Sequence, residues 1–137
     1  MLVKSFTRDP GIVLLRAGVA ILLFIHGVFR VLDGGVTPFG GFLGTKGIPF
    51  GPAVAWFLTL IELIGTPLLA FGLFTRPLVL WFALELAVGI VLVHAREGWF
   101  VVGGGRNGVE YSVALVIALI AVGLSDSWWS RESHPSL

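Results

Sequence analysis

Cysteine is absent from all 137 residues, so this chain can build no disulfide, no thiol redox centre and no cysteine-rich metal site. Charge is scarce: nine Lys and Arg stand against eight Asp and Glu, and a net charge of +1 offers no basic field for nucleic acid. The three histidines, His26, His94 and His134, lack the spacing of a zinc or haem site, so no metal ligand is assigned. Gly103-Gly104-Gly105 is followed by Arg106-Asn107-Gly108, without the Lys-Ser/Thr of a phosphate loop and without a preceding strand pattern. No internal repeat is present.

What fills the chain instead is apolar. Four stretches, Gly11–Leu32, Pro52–Phe74, Pro77–His94 and Gly108–Leu124, are each roughly the length of helix needed to cross a hydrocarbon core of about 30 Å. Arg16, Glu62 and Glu85 lie inside three of them, where an ionised side chain costs about 2.5–3.5 kcal/mol on insertion scales. Insertion still wins in the second stretch. Its Val, Leu, Ile and Phe residues sum to roughly −4 to −7 kcal/mol on the same scale, more than one Glu62 costs. With 56% hydrophobic and 12% charged residues, a soluble domain of this size could not hide its apolar surface.

The expected fold is therefore all-α: an integral membrane four-helix bundle, up-down-up-down, forming one domain over 1–137. Its helices are expected over about 11–32, 52–74, 77–96 and 108–124, followed by a polar tail, 125–137. Lys4 and Arg8 precede the first run as in a secretory leader. That run is long, continues through His26 and Arg30 and meets no Ala-x-Ala-like site, so it is expected to remain as the first helix. Residues 33–52, rich in Gly and Pro with Phe39, Phe42, Leu43, Ile48 and Phe50 interleaved, read as a loop folded over the bundle mouth. Thr75-Arg76-Pro77 reads as a tight turn between antiparallel neighbours. Trp56 and Trp99 are expected near one interface, Trp128 and Trp129 near the other. Lys4, Arg8, Arg76 and Arg131 on the terminal side balance Arg30, Lys46, Arg96 and Arg106 on the loop side, so charge does not orient the chain.

Glu62 is the most informative position. It lies roughly 15 Å into its helix, one residue from Leu63, whose carbonyl is freed by Pro67. A buried carboxylate there is either a functional proton carrier or half of a structural ion pair with Arg16 or Arg30. His26 and Arg30 share a face of the first helix. With His94, Arg96 and Glu110 they are expected to ring one end of the bundle as a polar mouth above Glu62. Arg16 and Glu85 lie at compatible depths and are expected to form a structural ion pair.

Taken in order, Leu15-Arg16-Ala17-Gly18, His26-Gly27 with Arg30, the Phe39–Phe42 and Gly47-Ile48-Pro49 segment, Ile61-Glu62 with Gly65, Gly72 to Arg76, Gly104 to Tyr111, and Gly123 to Trp128 resemble the DoxX family of small four-helix membrane proteins. The resemblance covers roughly residues 12–129 and implies a multipass cell-membrane protein with both termini cytoplasmic. It also implies association with oxidoreductase systems, one of them quinone-linked, and carries over Arg16, His26, Arg30, Glu62 and Glu110 as the matching polar positions.

Three functions follow as expectations. The first is a membrane subunit of an oxidoreductase system with a quinone-type ligand between its helices, His26 and Arg30 donating to the ligand and Glu62 carrying the proton; His94 and Glu110 would complete the site. The second is a non-enzymatic membrane anchor for soluble redox partners. The third is a small transporter with Glu62 as coupling carboxylate, which would call for a homo-oligomer. Membrane lipid and a redox protein are the expected partners; nucleic acid is not.

Overall fold

The computed structural model describes residues 9–126, which form five α-helices and no strand. They are α1 (Pro10–Leu32), α2 (Val36–Thr45), α3 (Gly51–Ala70), α4 (Thr75–Leu92) and α5 (Glu110–Ser125), with a short 3-10 turn at His94–Glu97. Asp9 opens α1: its Oδ1 accepts from the amides of Gly11 at 2.8 Å and Ile12 at 3.1 Å. Pro10 fills the first turn, where no donor is needed. The first three helices close alike. Gly34, Gly47 and Gly72 adopt φ of 69°, 81° and 73°, and the amide of the next residue reaches back five positions, as Leu73 N does to Leu68 O at 2.8 Å.

Two expected boundaries are corrected. The apolar run predicts helix to Phe74, but the left-handed turn at Gly72 ends α3 at Ala70. The third predicted helix stops at Leu92 rather than 96, with His94–Glu97 tightened into the 3-10 turn.

The larger correction concerns the expected loop. Residues 36–45 are helical, so the bundle has five helices where four were expected. Local propensity disfavours this helix, since its ten residues include Gly40, Gly41 and Gly44. Packing supplies the stability. A Cβ on Gly40 would stand 2.6 Å from Pro52 Cα, and one on Gly51 would overlap the Gly40 carbonyl. The α2 backbone thus rests directly on the start of α3, which only glycine allows.

Helix α1 packs on α3 and α5, and α4 packs on α5 and more sparsely on α3, closing a ring. One apolar core, centred on Leu23, Leu69, Phe82 and Leu119, fills the end where α3 meets α4 through the turn. A second, Val36, Leu43 and Ala55 with Phe39 and Leu58, lies beneath α2. Along α3 the polar residues Thr59 and Glu62 fall between the two.

The outside is as apolar as the inside. Leu14, Leu32, Leu80, Val91 and Leu124 are all more than two-thirds exposed, an arrangement suited to lipid. Helices α1, α3 and α4 are long and apolar enough to cross a membrane. The 16 residues of apolar α5 rise about 24 Å. Trp56 and Trp99 are exposed. Trp128, Trp129, His134, the basic terminal residues Lys4, Arg8 and Arg131, and nearly all of the tail lie outside the described residues.

Candidate functional site

Arg30, one turn after His26 on α1, does not reach for the surface. Its Nη1 donates to Thr59 Oγ1 at 3.0 Å and its Nη2 to Glu62 Oε1 at 3.2 Å. Nη1 also lies 3.1 Å from Glu62 Oε2. The side chains of Arg30 and Glu62 are 13% and 5% exposed, so this is a buried ion pair, and breaking it would strand a charge. The Phe39 ring of α2 lies 4.7 Å from the guanidinium carbon, covering the pair from above. The Thr59 hydroxyl donates to Ala55 O at 2.7 Å, leaving its oxygen free to accept from Arg30. Gly27 makes the approach possible: a Cβ there would stand 3.0 Å from Glu62 Oε2.

Glu85 of α4 completes the cluster. Its carboxyl lies beside that of Glu62 and beside the Trp81 indole, with Arg30 also within electrostatic range. Glu85 Oε2 and Trp81 Nε1 are closed to solvent, and although the indole N–H and the carboxyl lie close to one another, neither atom makes a hydrogen bond of good geometry among the described residues. Buried polar atoms without partners are uncommon, and each calls for an explanation. Both residues line a cavity of about 250 Å³ beneath α2, otherwise walled by apolar side chains such as Phe42, Leu58 and Leu92. An open apolar cleft of about 510 Å³ lies between α3 and α4, and Trp81 lines both spaces. Phe57 holds the Trp81 ring edge-on, 5.7 Å between centroids.

The other expected site residues lie at the edge of this cluster or away from it. His26 feels the charges of Glu62, Arg30 and His94, but its ring is exposed. His94 Nδ1 lies 2.8 Å from Asn107 O, and Arg96 is exposed. Glu110 Oε1 accepts from the amides of Val101 at 2.7 Å and Val102 at 3.4 Å, tying down the connection between α4 and α5. Arg16 Nε donates to Ala70 O at 3.4 Å at the C-terminal end of α3. No Arg16–Glu85 ion pair occurs among the described residues. The physical reason is Glu85's place beside Glu62, deeper along the bundle.

Sequence reasoning passed over Thr59, Trp81 and Phe39, and placed Glu85 in another role. Two of these left a trace. Thr59 precedes Glu62 by three residues and Trp81 precedes Glu85 by four, the spacings that stack side chains on one helix face. From the sequence Phe39 reads only as part of a loop folded over the bundle mouth, because its contact with Arg30 depends on α2 being a helix.

The arrangement can hold a flat, mostly apolar ligand against one donor and one carboxyl, and can keep a proton next to it. No group of histidines and acids suited to a metal ion occurs among the described residues. The chain is 32% identical over 126 residues to a Bacillus subtilis (strain 168) protein named "Putative oxidoreductase CatD", the match covering 90% of this chain and 84% of that one. No solved structure matches. The DoxX family model matches residues 11–95, the segment that carries Arg30, Glu62, Trp81 and Glu85, and the chain belongs to the DoxX family.

Proposed function

We propose that this protein is the membrane subunit of an oxidoreductase system and binds a quinone-type ligand in the cavity between α3 and α4, beneath α2. The observation that carries the reading is a pair of buried polar atoms without a well-formed hydrogen bond, Trp81 Nε1 and Glu85 Oε2, on the wall of an otherwise apolar cavity. An apolar cavity of about 150 Å³ is enough for a benzene ring, so about 250 Å³ suits a substituted one. A bound quinone supplies an acceptor for two electrons and two protons. The electrons come from a redox partner protein, since this chain has neither cysteine nor a cofactor motif.

The chain's own contribution is to bind and to hold a proton. Trp81 donates to one carbonyl of the ring, a role that replaces His26 and Arg30 as expected donors. Arg30 carries one positive charge against two carboxyls, so one proton held between Glu62 and Glu85 brings the buried cluster to neutrality. Glu62 passes that proton toward the ligand by way of Glu85 and is recharged from water to supply the second, while Arg30 and Thr59 keep Glu62 in place. The long helices cross the cell membrane up and down, with both termini cytoplasmic.

The test is a thermal-shift titration of detergent-purified protein with a short-chain quinone, beside Glu62→Gln and Glu85→Gln. Saturable stabilisation in the wild type, weakened in both variants, is expected. No stabilisation of the wild type at any concentration sinks the reading. A role in anchoring redox partners would then stand first, supported by the exposed Trp99, Phe100 and Val102 between α4 and α5.

A further inference from the structure

The cavity that holds Glu85 and the cleft between α3 and α4 share one wall, the Trp81 ring. The cleft runs past Leu60, Ile64 and Leu68 on α3 and Leu78 on α4, and no charged or hydrogen-bonding side chain other than Trp81 lines it. From Phe57 to Leu68 the α3 wall extends roughly 16 Å at 1.5 Å per residue. Phe57, Leu60 and Ile64 are about half exposed or more, so the cleft opens sideways onto the surface that faces lipid. Its floor is kept low by Gly65, where a Cβ would stand 3.0 Å from Leu78 Cδ2 and 3.2 Å from Phe82 Cζ. The polar cavity and the apolar cleft thus meet at one aromatic side chain, Trp81.

We infer that this cleft is the tail subsite of the same site: it takes the isoprenoid chain of a lipid-borne quinone, which enters laterally from the bilayer and seats its ring past Trp81. The inference rests on the quinone reading of the head cavity and adds the class of substrate, a membrane-dissolved quinone rather than a water-soluble one. A straight, unbranched acyl chain of a phospholipid would fill the cleft too, but would offer Trp81 Nε1 and Glu85 Oε2 no further hydrogen bond. A tailed quinone occupies both spaces at once. Apolar contact along the cleft then adds affinity in proportion to the area it covers.

The test compares two quinones that share one ring, one untailed and one with an isoprenoid tail, by binding titration in detergent. Wild type is set beside Ile64→Trp, which fills the cleft from its open side, and Ile21→Trp, an exposed position on α1 away from it. The wild type and Ile21→Trp should bind the tailed quinone about tenfold more tightly than the untailed one, a 1.4 kcal/mol preference. Ile64→Trp should bring that ratio close to one while the untailed quinone binds as before. A ratio unchanged by Ile64→Trp, or lost equally in Ile21→Trp, overturns the tail subsite. Equal wild-type affinity for both quinones overturns it as well and leaves the head cavity standing. Failure of the wild type to bind either quinone overturns both.

Discussion

Arg30 and Glu62 join α1 to α3 through a buried ion pair of 3.1 Å, with Thr59 and the Phe39 ring completing the shell around the guanidinium. Neither side chain can be removed alone without leaving the other charged and out of water.

Arg30→Met should therefore destabilise the protein by about 3–5 kcal/mol, the range for breaking a buried pair from one side. Adding Glu62→Leu should recover most of that loss, because the stranded carboxylate is gone. Thermal or denaturant unfolding in detergent checks the cycle. Additive losses would mean that the two side chains do not act as a pair.

Two glycines of α1 should respond oppositely to alanine. At Gly27 a Cβ would stand 3.0 Å from Glu62 Oε2 and 3.1 Å from Glu62 Cβ, so Gly27→Ala forces α1 away from α3. A loss of about 1–3 kcal/mol is expected. At Gly18 nothing lies within 4 Å, and Gly18→Ala should be neutral or gain about 0.5–1 kcal/mol from helix propensity. The two unfolding midpoints, measured side by side, decide this.

Trp81→Phe keeps the ring against Phe57 and removes a buried donor that makes no well-formed hydrogen bond, though it lies beside the Glu85 carboxyl. The ligand-free protein should be as stable as the wild type or slightly more so, since an unsatisfied group is lost. Affinity for a short-chain quinone should fall about fivefold to tenfold, one hydrogen bond's worth. A variant that loses stability but keeps its affinity would show that the indole N–H serves the fold alone.

Glu110→Ala frees the amides of Val101 and Val102. Hydrogen exchange at those two amides should quicken markedly, while exchange within α3 and α4 stays as it was. Protection unchanged at Val101 and Val102 would mean that the backbone bonds between Trp99 and Glu110 hold the segment without the carboxylate.

Much of the fold was legible in the residues themselves. The apolar runs placed the four long helices, Asp9-Pro10 marked the start of α1, and Gly34 its end, because capping and transfer from water are local properties. The depth of Glu62 in α3 and its exposure to question followed from counting residues along a helix. Family membership was readable from the order of short motifs around Arg16, Arg30 and Glu62.

The partners of the buried charges were decided only in three dimensions. Depth along an axis is additive in residue number, whereas the rotation of a helix and its offset from its neighbours depend on every contact it makes. Hence Glu85 lies beside Glu62 and Trp81 instead of Arg16, and Arg30 turns inward to Glu62. The helix α2 is the plainest case. Its glycines argue against a helix when read alone, yet in the folded chain Gly40 and Gly51 let two backbones touch, and that contact holds Phe39 over the ion pair. Sequence determined which groups must be buried; packing determined which of them meet.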